Sequence, residues 1–158
     1  MAKAREIDGL GAKTPFGQAA GRVVATRAGE LFDHAAGVLD VDDIERVHDM
    51  RVATRRLRAV LEIFAPAFPK TAHRELLREV KALADALGER RDPDVQIESL
   101  RAYTGQAPPE DAAGVDELIA RLREEQSGAN ARLAIALAEM ERSDLRGRLE
   151  DLVEAARA

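Results

Sequence analysis

Apolar residues recur at intervals of three and four positions along most of this 158-residue chain. That spacing places them on one face of an α-helix, whereas a half-buried strand would alternate apolar and polar residues. The pattern predicts six helices, over about residues 15–38, 43–64, 69–87, 93–103, 115–140 and 145–153.

Residues with known preferences at helix starts support these boundaries. Thr14 followed by Pro15 is typical of a cap and a first helical position. Asp42 and Glu45 have the spacing of a capping box at the start of the second helix. Ser143 is the predicted cap of the last helix.

Two interruptions are predicted in the middle and second half of the chain. Gly88 predicts the end of the third helix, and the pair Asp92–Pro93 predicts the start of a short fourth one. Ser127–Gly128 is a candidate kink in the following long helix. The pattern as a whole predicts a single all-α domain, an antiparallel helical bundle of about four long helices plus one or two short ones. We expect residues 14–158 to form the bundle and residues 1–13 to be flexible.

Composition agrees with a helical domain. Hydrophobic residues make up 46% of the chain but aromatic residues only 3%, which suits a core of packed helices better than a β-sandwich. The absence of cysteine excludes disulfides, thiolate metal ligands and cysteine nucleophiles. No apolar run approaches the roughly 20 residues of a membrane span, and the first residues lack the apolar core of a signal peptide. We therefore expect a cytoplasmic protein with no membrane partner.

Charge is unevenly distributed along the chain. The net charge is -5, yet residues 46–91 hold 11 Lys and Arg against 6 Asp and Glu. A basic middle between acidic ends favours a binding site for a polyanion.

Most basic residues of the predicted second helix share one face. In the segment VHDMRVATRRLR, the helical period groups His48, Arg51, Arg55 and Arg58 opposite the apolar residues, and Arg56 lies off this stripe. An ordinary solvent-exposed face is the plain alternative, but such faces usually mix charges. Like charges one turn apart destabilise an isolated helix by about 0.2–0.5 kcal/mol. A stripe of this kind therefore favours a bound anion that neutralises it.

The predicted third helix carries a second basic stripe. Arg74, Arg78 and Lys81 lie roughly opposite its apolar face, where acidic residues dilute them. Arg90 and Arg91 are predicted in the turn before the next helix, whose free N–H groups also favour anions. These residues would extend the polyanion site.

A row of arginines about 5–6 Å apart suits a chain of phosphates better than an isolated phosphate group. Nucleic acid is the less well supported ligand, because RNA and single-strand surfaces usually add stacking aromatics. On the first helix, Arg22 is on the polar side and Arg27 borders the apolar face, so either can join the site or have no part in it. Asp92 is explained as a cap, and neither a metal nor a cofactor is expected. The sequence lacks HExxH and GxxxxGK[ST], so binding without catalysis is predicted.

The segments VHDMRVATRRLRAVLEIF and LLREVKALADALGERRDPDV resemble the signature of the CHAD family, the conserved-histidine α-helical domains. This resemblance implies a helical domain that binds inorganic polyphosphate on a basic surface. The matching positions are those of the family histidine and arginines, of a lysine on the third helix and of an Arg–Asp pair: His48, Arg51, Arg55, Arg58, Lys81, Arg91 and Asp92. The surface would be extended by Arg22, Arg56, Arg74, Arg78 and Arg90.

CHAD domains usually comprise two related helical halves, and this chain resembles the first of them. Two copies pairing about a twofold axis would rebuild the second half, since such dimers are the commonest oligomers. The resemblance also suggests a cytoplasmic location at polyphosphate granules. The alternative function is a nucleic-acid-binding or regulatory adaptor module that uses the same basic stripe.

Overall fold

The computed structural model describes residues 2–156, which fold into a helical bundle. Five α-helices follow one another: α1 (Phe16–Asp33), α2 (Ile44–Ile63), α3 (Lys70–Thr104), α4 (Ala112–Arg142) and α5 (Leu145–Glu154). Short 3-10 turns precede α3 and α4, at Ala65–Ala67 and Pro109–Asp111. Because residues 2–156 contain no strand, the prediction of an all-α bundle with four long helices and a short one is confirmed. None of these helices is both long and apolar enough to cross a membrane.

α2 packs between α1 and α3. Its side chains at Met50, Leu57 and Leu61 are fully buried, in a core built mainly from aliphatic residues. Burying one such leucine stabilises a fold by about 1.5–3 kcal/mol. Because this apolar stripe must face inward, it also fixes the direction in which the polar face of α2 points.

α3 and α4 are much longer than the other helices and pack along one another. With 35 and 31 residues, they are about 52 and 46 Å long at 1.5 Å per residue. α2 has only 20 residues and begins at Ile44. The Arg91 side chain of α3 donates to the Ile44 carbonyl, so α3 has passed along the whole of α2 by Arg91 and continues to Thr104. The end of α3 and the start of α4 therefore form a helical hairpin beyond α2.

The predicted break between the third and fourth helices is wrong, because α3 runs through Gly88 and Pro93 without interruption. A proline inside a helix lacks one N–H donor and costs about 3 kcal/mol, and a glycine costs about 1 kcal/mol. Leu87 and Ile97 are buried on either side of the proline, so burial continues across it and offsets both costs. α4 is likewise one helix through Ser127–Gly128.

Two further helix ends differ from the prediction. α1 ends at Asp33 rather than near Val38, and the chain then turns at Gly37, which has a left-handed φ of 71°. Glycine adopts this conformation without a steric cost. Neither Thr14 nor Asp42 caps the following helix with its side chain, so both predicted caps are wrong.

The last helix is capped by Asp144 and not by Ser143. The Asp144 carboxylate accepts the Gly147 N–H at 3.2 Å, which satisfies one of the free donors of the first turn. The Ser143 hydroxyl instead donates to the Glu79 carboxylate at 3.1 Å.

Residues 2–9 are irregular but lie against α1 and α2. Ala2 is buried, and its N–H donates to the Asp49 carboxylate at 2.6 Å. The Arg5 N–H donates to the carboxylate of Glu30, which is itself buried. These contacts define the path of the segment, and the expected flexibility of residues 1–13 stays a prediction. The first residue and residues 157–158 of the predicted domain lie outside the described residues.

We expect Gly88→Ala to raise the free energy of unfolding by about 0.5–1 kcal/mol, because glycine weakens the interior of a helix. The atom nearest to an added Cβ is Arg51 Nε at 3.9 Å, an ordinary van der Waals contact. Urea unfolding followed by circular dichroism measures the change. Gly114→Ala, in the first turn of α4, is the control with a smaller expected gain. A loss of stability for Gly88→Ala would contradict a continuous α3.

Candidate functional site

Three arginines of the predicted stripe line an open groove between α2 and α3. The groove has a volume of about 510 Å³. Arg51, Arg55 and Arg58 form its α2 side, about one helical turn apart. The α3 side combines small residues with carboxylates: Ala84, Asp85, Gly88, Glu89 and Asp92. The groove therefore has cations on one side and anions on the other.

Most charges on the two sides of the groove do not neutralise one another directly. Among residues 2–156, the side chains of Arg51 and Arg55 have no ion-pair or hydrogen-bond partner. Within the same residues, Asp85 and Asp92 have none either. Glu89 is engaged with Arg132 of α4 at 2.9 Å. The two arginines are thus available for an external anion.

Arg58, the last arginine of the row, is paired. Its Nε donates to Glu62 Oε1 at 3.2 Å, and Lys81 Nζ of α3 lies 3.1 Å from the same oxygen. The hydrogen bond from Lys81, followed by that from Arg58, lowers the pKa of the Glu62 carboxyl group below its ordinary value. The predicted lysine therefore joins the arginine row through a carboxylate that links α2 to α3.

His48 lies on α2 one turn before the arginine row, half-buried and outside the residues that line the groove. A possible metal-binding cluster surrounds it: Glu45, His48 and Asp49 each offer one ligand atom, and the three atoms lie within 4.8 Å of one another. Both carboxylates already have contacts within the chain. Asp49 accepts the Ala2 N–H at 2.6 Å, and Glu45 lies 3.9 Å from Arg91.

Three further predicted residues do not line the groove. Arg74 and Arg78 are exposed on α3 and do not line the groove. Arg91 has a side chain only 13% exposed, and it donates to the Ile44 carbonyl at 3.2 Å. Its position ties α3 to the start of α2, whereas the sequence predicts it in a turn, as an extension of the polyanion site.

The prediction that Arg90 extends the surface is wrong, because its side chain is fully buried. Its guanidinium pairs with Asp94 Oδ1, and its Nε donates to Asn130 Oδ1 of α4 at 3.1 Å. Gln126 Nε2 donates to the same Asp94 oxygen at 2.6 Å. A buried guanidinium requires such a set of partners, so this network holds α3 and α4 together.

Arg22, Arg27 and Arg56 contact the irregular segment of residues 2–9. Arg27 and Arg56 each donate at 3.0 Å to a main-chain carbonyl of this segment, and Arg22 donates to the Gly9 carbonyl. None of the three lines the groove. The structure therefore separates them from Arg51, Arg55 and Arg58.

Neither the acidic side of the groove nor the buried network is predicted from the sequence. From the sequence, Asp85 only dilutes the basic stripe of the third helix and Asp92 is only a cap, and Glu89 carries no prediction. For the network, the four-residue spacing of Arg90 and Asp94 was the available signal, since oppositely charged residues at that spacing meet on a helix.

A family model described as the CHAD domain matches residues 22–158. The chain belongs to the CHAD family. CHAD domains are known to bind polyphosphate, and the CHAD domain is a binding domain rather than a known catalytic fold. Comparison with curated proteins and with solved structures finds no match. In this CHAD domain, the matched residues include the whole groove and the buried network.

For the buried network, we expect Asp94→Ala to lower the free energy of unfolding by about 3–5 kcal/mol, because it leaves Arg90 buried without a counter-ion. Urea unfolding measures the loss. Glu98→Ala is the control: this exposed residue lies one turn further along α3 and has no ion pair among residues 2–156, so we expect a change within about 0.5 kcal/mol. Equal stability of the two variants would contradict the assigned role of Asp94.

Proposed function

We propose that this CHAD domain binds inorganic polyphosphate, without catalysis, in the groove between α2 and α3. The observation that carries the proposal is the row of Arg51, Arg55 and Arg58 along an open groove, with two of the three side chains unpaired within residues 2–156. Family membership supports the choice of ligand.

The chemistry of the row suits a linear phosphate polymer. A guanidinium presents several N–H donors in a plane and forms paired, charge-assisted hydrogen bonds with phosphate oxygens. Residues three or four apart on a helix have Cβ atoms about 5–6 Å apart, so Arg51, Arg55 and Arg58 contact successive parts of one chain. Lys81 would add a donor from α3.

The acidic residues of α3 restrict where such a chain lies. Asp85 and Asp92 repel phosphates, and the repulsion falls with distance in water. We infer that polyphosphate lies closer to the arginines of α2 than to α3. This arrangement favours a thin, unbranched polyanion that follows one side of the groove.

Binding without catalysis is the simpler assignment for this groove. Of the residues 2–156, those that line it are arginines, carboxylates, alanine and glycine, with no serine or threonine hydroxyl and no histidine among them. Phosphoryl transfer by a protein usually requires a base positioned against the reacting group together with metal-bound phosphates. The carboxylates of α3 lie across the groove from the arginine row that we propose to hold the phosphates. Association with polyphosphate granules would follow from the binding that we propose.

The decisive experiment is a titration with long-chain polyphosphate, in competition with duplex DNA and RNA of equal charge. We expect polyphosphate to bind best and its affinity to fall steeply with salt. Arg51→Ala and Arg55→Ala should each weaken binding about tenfold, or about 1.4 kcal/mol, because each removes charged hydrogen bonds. Lys81→Ala should weaken it as well.

Arg123→Ala is the matched control, because it also removes an exposed arginine that has no partner within residues 2–156 and does not line the groove. Unchanged binding by folded Arg51→Ala and Arg55→Ala variants would show that the groove is not the site. Preferential binding of DNA or RNA would favour the adaptor function instead.

We also propose that two copies of the chain pair into a homodimer. The proposal is based on the two-half organisation of the family that the sequence resembles, and exposed apolar residues such as Phe16 and Ile63 support it. Light scattering over a dilution series should give twice the mass of one chain at high concentration. A monomer mass at every concentration would contradict the dimer.

A further inference from the structure

Glu62 stands at one end of the arginine row, where it holds two cations that come from different helices. Its Oε1 accepts from Arg58 Nε at 3.2 Å and lies 3.1 Å from Lys81 Nζ. All three side chains are between 41% and 43% exposed, so an external ligand can reach them. The carboxylate therefore occupies an accessible position between a guanidinium and an ammonium group.

An anionic oxygen held in this way resembles a bound phosphate oxygen. Guanidinium and ammonium groups bind carboxylates and phosphates through the same charge-assisted hydrogen bonds. The lowered pKa of Glu62 is consistent with this, because both cations favour its charged form. The position of Oε1 thus marks an anion-binding position at the Arg58 end of the groove.

Glu62 and a bound polyphosphate cannot both use this position favourably. A phosphate that contacts Arg58 or Lys81 brings its negative charge next to the carboxylate, and the two anions repel one another. Exposed ion pairs are weak, so displacement of the carboxylate by a polyanion costs little free energy. Arg51 and Arg55, which have no partner within residues 2–156, are free of this competition.

We propose that Glu62 is an intramolecular counter-ion that occupies a phosphate position of the groove and is displaced when polyphosphate binds. Glu62 thereby sets the affinity of the groove and makes its Arg58 end weaker than its Arg51 end. This inference rests on the proposed function of the groove as a polyphosphate site.

The test compares polyphosphate titrations of the full chain carrying Glu62→Gln or Glu62→Ala with those of the unaltered chain. We expect both variants to bind about two- to fivefold more tightly, the range that corresponds to loss of one exposed ion pair. The variants distinguish two roles of Glu62: competition with phosphate for Arg58 and Lys81, and orientation of these two side chains for the ligand. If Glu62 instead oriented Arg58 and Lys81 for the ligand, Glu62→Ala would bind more weakly.

The matched control is Glu117→Gln. Glu117 also forms an exposed pair with an arginine four residues away, at 2.8 Å, and the variant changes the net charge equally. It lies on α4 about 22 Å along the helix from Arg132, which contacts the groove residue Glu89. We expect Glu117→Gln to leave the affinity nearly unchanged.

A second comparison distinguishes local competition from a general change of charge. In a Lys81→Ala, Arg58→Ala background, Glu62→Gln should give little or no gain, because no cation pair remains for the phosphate to take over. A gain that persists in this background, or Glu62 variants that bind no better than Glu117→Gln, would overturn the inference. Absence of polyphosphate binding by the unaltered chain would instead refute the proposed function.

Discussion

The structure depends on the burial of one apolar stripe along α2. Met50, Leu57 and Leu61 are fully buried between α1 and α3, and a helix cannot rotate about its axis without exposing such side chains to water. Successive residues on a helix differ by about 100°, so the inward stripe also determines which residues point outward. The groove arginines share one direction because a rotation of α2 would expose the buried residues behind them to water.

The long helices α3 and α4 supply the rigid side of the groove. α3 continues through a glycine and a proline that would interrupt a less well supported helix. Within α3, Arg90 and Asp94 form a fully buried ion pair, and hydrogen bonds with Asn130 and Gln126 attach this pair to α4. A buried ion pair contributes little net stability, but the removal of one partner is strongly destabilising because the other charge is left buried. In this domain the hydrogen bonds of the pair with Asn130 and Gln126 link α3 to α4 next to the groove.

Helix periodicity was enough to predict the fold class, the buried face of α2 and the common direction of Arg51, Arg55 and Arg58. It could not predict which side chains of α3 face them, because that depends on the relative rotation and register of two helices. The burial of Arg90 was missed for a related reason: a predicted turn at Pro93 left it in a loop, whereas packing extended the helix. Arg22, Arg27 and Arg56 bind main-chain carbonyls of an irregular segment, for which no periodic signal exists.

The opposing rows of charge across the groove affect how a ligand finds it. Beyond about 8 Å at physiological ionic strength, charges are largely screened, and the arginine and carboxylate sides of the groove cancel one another at long range. A distant polyanion therefore encounters a chain whose net charge is -5, with no electrostatic funnel to guide it. In the function that we propose, recognition would begin at contact, where polyphosphate lies closer to the arginines than to the acids opposite. Association of polyphosphate with the domain would then be governed by diffusion and fit rather than by long-range attraction.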